Sequence, residues 1–199
     1  ATPGVRNAKD NNVRKLPAPV AMDSDDQEVL RQVVDYYRAT LRESPEAMAY
    51  LESRGLADRD AIDHFQLGFA NRTRGLRLPE KNRKSGAEMR TRLQRLGIMR
   101  DSGHEHFNGS LVVPVMDAAG NVTEVYGRKI RDDLRVGTPL HLYLPGPPRG
   151  VWPGQGPTAA KAVILCAALV DAMTSLSRGF TDCAPPFSPA GSPPAILQP

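Results

Sequence analysis

Cysteine is almost absent. Cys166 and Cys183 are the two thiols, neither belongs to a CxxC pair, and the four histidines are scattered. Such a set builds neither a disulfide framework nor a four-ligand zinc site. The first 24 residues contain no apolar run, so no signal peptide is expected. No later stretch approaches the roughly 20 apolar residues of a membrane-spanning helix. These absences lead to the expectation of a soluble cytoplasmic protein with no membrane partner. Aromatic residues are also few, at 6%.

Proline is plentiful, with 18 among 199 residues, clustered towards the two ends. Hydrophobic residues make up 40%. This composition predicts a folded middle over about residues 25–180, with unstructured tails at 1–24 and 183–199. A net charge of +4 and a pI near 9.3 favour an anionic partner without requiring one.

The chain is organised around Leu111–Ile130, LVVPVMDAAGNVTEVYGRKI. Two β-rich runs, Leu111–Met116 and Val122–Ile130, flank Asp117–Asn121, and both Gly120 and Asn121 tolerate positive φ. The stretch reads as a β-hairpin. Upstream, Ser24 and Gln27 form a capping box, and Val29, Val33, Tyr37 and Leu41 recur at helical spacing. Ser44-Pro45 opens a second helix stopped by Gly55, with Ala47, Met48, Leu51 and Leu56 inward. A third runs from about Asp58 to Gln66 with Ile62 and Phe65 inward, and Gly68-Phe69-Ala70 is extended. Ser85 and Glu88 form another capping box before Met89, Leu93 and Leu96.

Downstream, Gly146–Pro157 reads as a Pro/Gly linker. Lys161–Cys166, KAVILC, reads as a buried parallel strand, and Ala167–Arg178 as a helix ended by Gly179. A second parallel strand is not expected, because residues 183–199 are rich in proline. An unfinished sheet of this kind would expose the apolar face of its helix. Everything after the hairpin reads as a second, separate unit.

Candidate functional residues follow. Arg128 and Lys129 end the second hairpin strand and point to opposite faces. Gly127 beside them would let a phosphate or base approach the backbone. Residues 72–100 hold ten Lys or Arg against two Glu, with Arg90, Arg92 and Arg95 off the apolar stripe of the helix. That window suits phosphate contacts rather than base stacking, although a charge run is more often a solvated face. His104-x-His106 lacks a third ligand in view, and Cys166 reads as packing. Trp152 and Tyr143 read as pins for the linker.

The order of motifs resembles the catalytic part of bacterial DnaG-type DNA primases, especially those carried by plasmids and mobile elements. Tyr50-Leu51-Glu52-Ser53-Arg54-Gly55-Leu56 is similar to that family's YL..RGL helix, and Phe65–Ala70 to its F.LGYA. His106-Phe107, Val113–Asp117, Gly120 and Tyr126-Gly127-Arg128 follow its hairpin, and Leu142-Tyr143-Leu144 stands at its KYLN. Lys161–Gly179 resembles the first strand and helix of a Toprim domain. The resemblance implies an α/β (α+β) chain. A primase-core N-terminal subdomain of helices and a β-hairpin would span 25–145. A linker would follow at 146–157, then a partial Toprim βα unit at 158–182.

The function implied is DNA-templated synthesis of RNA primers in replication, a nucleotidyl transfer that needs carboxylates to hold Mg²⁺. Single-stranded DNA would be the partner, with a replicative helicase as a further one and no small-molecule cofactor. Template contacts would fall to Arg128, Lys129, Arg90, Arg92 and Arg95. The sequence departs from the pattern in four places. Ala167 stands where the Toprim strand carries Glu, leaving Asp171 as a vestigial carboxylate. No Asp-x-Asp motif follows Gly179, and no zinc module precedes residue 25. Asn108 and Ser110 stand where many primases carry Arg. The expectation is therefore a truncated copy that binds no metal and is catalytically incomplete, retaining at most single-strand binding. The alternative is a non-catalytic DNA-binding or protein-interaction module.

Overall fold

Helix α1, Ser24–Arg42, forms because its apolar residues share one stripe: Val29, Val33, Tyr37 and Leu41 are buried, together with Leu30 and Val34. The computed structural model describes residues 24–73, 78, 82–117, 119–146, 164–180 and 183–184. The expected tails other than Ser24 and Cys183-Ala184, the linker beyond Gly146, Trp152 and Lys161–Val163 lie outside the described residues.

Gln27, expected in a capping box with Ser24, makes a longer-range contact. Gln27 Nε2 donates to Val122 O at 3.1 Å, and Gln27 Oε1 accepts from Val122 N at 2.9 Å. One amide thus satisfies both backbone groups of a strand residue. Helix α2, Pro45–Ser53, has Ser44 at its N-cap, but the Ser44 hydroxyl donates back to Thr40 O at 2.7 Å. Gly55, with φ +69°, ends it.

Helix α3, Arg59–His64, is capped by Asp58, which accepts from Ala61 N at 2.9 Å. Helix α4, Lys84–Arg95, starts from Arg83 without a side-chain cap. The expected Ser85–Glu88 box gives way to an ion pair between Lys84 and Glu88 at 3.9 Å.

Four strands follow one antiparallel order: β1 Gly68–Phe69, β2 Ser110–Met116, β3 Val122–Lys129 and β4 His141–Tyr143. β2 and β3 are the expected hairpin. Its tip is held by Asp117 Oδ1, which accepts from Ala119 N at 2.9 Å and Asn121 N at 2.8 Å. Of Gly120 and Asn121, Gly120 alone has positive φ, at +79°. A bulge falls between Val115 and Met116.

Each face of the sheet is covered by its own core. On one side, Val112, Val125, Leu142 and Phe107 cluster with Leu30 and Val33 of α1 and Leu93 of α4. On the other, Leu111, Val113, Val115 and Tyr126 cluster with Leu51, Leu56 and Ile62. Glu124, 2% exposed, ties the sheet's far edge by accepting from Val125 N at 2.9 Å and Leu144 N at 2.8 Å.

The second core extends into a strand–helix–strand unit: β5 Ile164–Leu165, α5 Leu169–Ser177 and β6 Cys183–Ala184. Two expectations are corrected here. A second parallel strand is present, with Ile164 opposite Cys183 and Leu165 opposite Ala184. The proline rule does not exclude it, because the two paired residues precede Pro185. The apolar face of α5 is also not exposed. Leu169, Val170, Ala172 and Met173 are buried in the same cluster as Leu51, Val113 and Tyr126, and Thr174 Oγ1 donates to Arg54 O at 3.1 Å. Burial of these side chains against α2 and the sheet makes the segment part of a shared core. Among the described residues, no helix is long and apolar enough to cross a membrane.

Candidate nucleic-acid interface

The end of β3 sends two cations to opposite sides of the sheet. Arg128 follows Tyr126 by two residues, and Lys129 follows Gly127 by two, so strand alternation separates them. Gly127, just before them, does not open the backbone to a ligand, which corrects the sequence expectation. A Cβ there would lie 2.5 Å from Phe107 Cδ1. The glycine makes room for the Phe107 ring in the core.

On the Lys129 side lies a cavity of about 530 Å³ whose lining includes Arg100, His104, His106, Asn108, Lys129 and Arg135. Glu105, the one acidic residue among its described lining, accepts the Tyr37 hydroxyl at 2.6 Å. Lys129 Nζ donates to Asn108 O, which fixes the amine at the wall. Burial, with the charges of Arg100 and Arg72 added, holds this amine below the ordinary lysine range, while Glu105 opposes. His106 Nε2 lies 2.8 Å from Tyr143 O, so this nitrogen carries the proton and donates. Burial pushes the His106 pKa down; the Tyr143 bond works against that shift, and Arg100 and Lys129 reinforce it.

Arg72 sits beside this group with a left-handed backbone, φ +73°, flanked by a turn in which Asn71 Oδ1 accepts from Thr73 Oγ1 at 2.6 Å. Its guanidinium would be 3.4 Å from a Cβ at Gly109. Several cations thus converge on one concavity, at an electrostatic cost to one another that an anion would relieve.

On the Arg128 side, the Tyr126 hydroxyl lies 2.8 Å from His141 Nδ1, and the Tyr126 and Tyr143 rings are 5.5 Å apart. His141 and Tyr143 are exposed. Burial pushes the Tyr126 hydroxyl well above its ordinary range, with Tyr143 adding to it, Arg128 opposing, and Tyr50 and Asp171 contributing. Burial and the Arg128 charge lower the His141 pKa, against Asp171. The structure therefore brings Arg128 and Asp171 to one aromatic cluster. Arg128 NH1 is buried there without a hydrogen-bond partner among the described residues.

The resemblance implies a Mg²⁺ site near Ala167 and Asp171, and the residues present do not fit one. Ala167 offers no oxygen, and Asp171 is a single carboxylate in the first turn of α5. Among the described residues, no three His, Cys, Asp or Glu side chains are grouped as metal ligands. A hard divalent cation takes about six oxygens, far more than Asp171 alone supplies. Cys166 is buried, and burial raises its thiol pKa, as suits a packing residue.

The five basic residues singled out in the sequence do not form one group. Arg92 Nε donates to Asp26 Oδ1 at 2.7 Å, and Arg95 NH2 lies 2.6 and 2.7 Å from the two Asp26 oxygens. These two arginines join α4 to α1 around a carboxylate that is 1% exposed. Arg90 is partly buried on α4, and none of the three lines the cavity. Sequence reasoning missed Arg135, Tyr126 and His141. The turn residues Gly137-Thr138-Pro139 after Arg135 were the available signal for the first. The other two are positioned by β3–β4 pairing, which no local pattern announces.

Solved primase structures share this fold at low identity. A DNA primase domain from Pseudomonas aeruginosa matches with 20% identity and TM-score 0.61, over 80% of this chain and 53% of that one. A DnaG primase catalytic domain bound to ssDNA matches with 23% identity and TM-score 0.59, over 83% and 57%. The RNA polymerase domain of Mycobacterium tuberculosis primase DnaG, in complex with double-stranded DNA bearing a 6-nucleotide overhang, matches with 18% identity and TM-score 0.57, over 86% and 56%. The chain thus spans about half the length of the structures it matches. No curated protein matches the chain. Residues 36–137, half of the chain, match the DNA primase catalytic core, N-terminal domain, and the chain belongs to that family.

Proposed function

We propose that this chain binds single-stranded DNA as the template-guiding part of a primase-type core. The observation that carries the reading is the convergence of Arg100, Lys129 and Arg135 on one cavity, with Arg72 close to Lys129. Phosphates of a strand would displace the mutual repulsion of these cations and release counterions. Arg128, His141 and Tyr143 offer a second, aromatic-lined surface on the other face of the sheet, suited to a nucleotide base. In a complete primase core the bound strand would template an RNA primer. The Ile164–Ala184 unit reads as the beginning of a Toprim-like fold in which Ala167 replaces the expected carboxylate. On this reading the chain by itself makes no primer, and Ala167→Glu alone does not supply the missing metal ligands.

Fluorescence anisotropy of a labelled single-stranded oligonucleotide, with a duplex control and a salt series, tests the binding reading. The expected result is a preference for the single strand and a log K that falls linearly with log salt. Lys129→Gln and Arg100→Gln should each lower that slope by about one. Arg92→Gln and Arg95→Gln should reduce stability and leave the slope unchanged. A folded chain that does not bind at low salt refutes the proposal.

A further inference from the structure

The segment between β3 and β4 is built to hold one apolar side chain in solvent at the edge of the cationic cavity. Its base is closed by Lys129 N donating to Leu140 O at 2.9 Å. Its near limb is braced by Arg131 Nε donating to Asp133 Oδ1 at 2.7 Å. At its tip, Thr138 N donates to Arg135 O at 3.0 Å, and Gly137 has φ +84° while Val136 is not in the positive-φ region. This is a type II β-turn, in which glycine at the third position is what the geometry demands. The turn leaves Val136 at 99% exposure, while Arg135 and Val136 both line the cavity that Lys129 and Arg100 charge.

A single exposed valine needs no explanation. Here a defined turn sets that valine beside three cations, and no described residue covers it. A ligand that fits must carry anions at short intervals and, next to them, an open apolar face. A single strand has both, since its phosphates repeat along the backbone and its bases can be unstacked. A duplex presents phosphates but keeps its base faces stacked on one another. Apolar side chains are used elsewhere to wedge against base faces.

We propose that the Arg135–Thr138 turn is a base-contacting strap: Val136 packs on the face of an unstacked base while Arg100, Lys129 and Arg135 hold the neighbouring phosphates. This rests on the single-strand reading above and adds the element that discriminates single strand from duplex. Val136 then contributes affinity that salt does not screen, and Arg135 contributes affinity that salt does.

The test compares three probes by anisotropy: a single-stranded oligonucleotide, an oligonucleotide of equal length with an abasic tract, and a duplex. Val136→Ser should weaken binding of the normal strand roughly 5-fold, as expected for about 1 kcal/mol of apolar contact. Its salt slope should stay that of the wild type, and its binding to the abasic strand should be unchanged. Lys129→Gln should weaken both strands. If Val136→Ser binds the normal strand as the wild type does, or loses equally on the abasic strand, the strap is refuted while the single-strand reading stands. If the folded wild type binds neither strand, the underlying reading falls and the strap with it. Because Val136 is 99% exposed and packs on no described residue, the variant folds as the wild type does, which circular dichroism checks.

Discussion

Replacing Asp26 by Asn separates two roles for the arginines of α4, as a latch on α1 or as a nucleic-acid track. The Asp26 carboxylate is 1% exposed and accepts bonds of 2.6–2.7 Å from Arg92 and Arg95, which are 28% and 44% exposed. Burial alone would raise its pKa, but the hydrogen bonds and charges of Arg92 and Arg95 outweigh that and hold it below the ordinary aspartate value. Removing one partner of a fully buried pair costs about 3–5 kcal/mol. Here both arginines reach water and can rehydrate, whereas exposed pairs contribute about 0–1 kcal/mol. The expected loss for Asp26→Asn is therefore intermediate, about 2–3 kcal/mol.

With a urea m-value of about 1–2 kcal/mol per molar, the denaturation midpoint should fall by about 1–3 M. Urea titration followed by far-ultraviolet circular dichroism measures it, and a pH series adds a check of sign. A carboxyl depressed in the folded state stabilises above its unfolded pKa, so the gap between wild type and variant should be constant from about pH 7 to about pH 5. It should then close as pH falls from about 4, where the unfolded carboxyl takes up its proton, through the depressed folded pKa. A variant within about 0.5 kcal/mol of the wild type at neutral pH would refute the latch and return Arg92 and Arg95 to the surface charge available for DNA.

Other outcomes follow from the same structure. Gly127→Ala should destabilise by about 1–3 kcal/mol, since its new methyl meets the Phe107 ring, and Phe107→Leu in the same chain should recover part of the loss; thermal melts of the single and double variants check this. Because the His106 pKa is depressed by burial, its contribution to stability is full above about pH 6.5 and is lost as pH falls towards its folded value. The urea midpoint should drop between about pH 7.5 and pH 5.5, and His106→Gln, which keeps the donor to Tyr143 O, should flatten that part of the drop. Asp58→Ala should cost about 1 kcal/mol by removing the cap on Ala61 N, readable as a midpoint shift in urea.

The helices and the hairpin were legible because their information is local. Apolar spacing at Val29, Val33, Tyr37 and Leu41 and β-rich runs flanking a Gly-Asn turn each specify an element within a few residues. Capping partners were legible only in part. Asp58 caps α3 without having been singled out for it, Gln27 reaches across to Val122, and Glu88 had the right spacing for a box but pairs with Lys84. A long polar side chain near a helix start has several acceptors within reach, and tertiary packing chooses between them.

The candidate site divides in the same way. The sequence by itself determined the sign of the net charge, through a surplus of Lys and Arg that favours an anionic partner, and the face separation of Arg128 from Lys129, through the two-residue period of a strand. Only the tertiary structure decided which cations remain available. α1 brings the Asp26 carboxylate against Arg92 and Arg95, 66 and 69 residues away in the chain, and occupies them. β3–β4 pairing and the folding-back of residues 131–140 bring Arg135 beside Arg100 and Lys129. Charge is a property of composition, but pairing of charge depends on distances that long-range contacts set, and no local pattern encodes them.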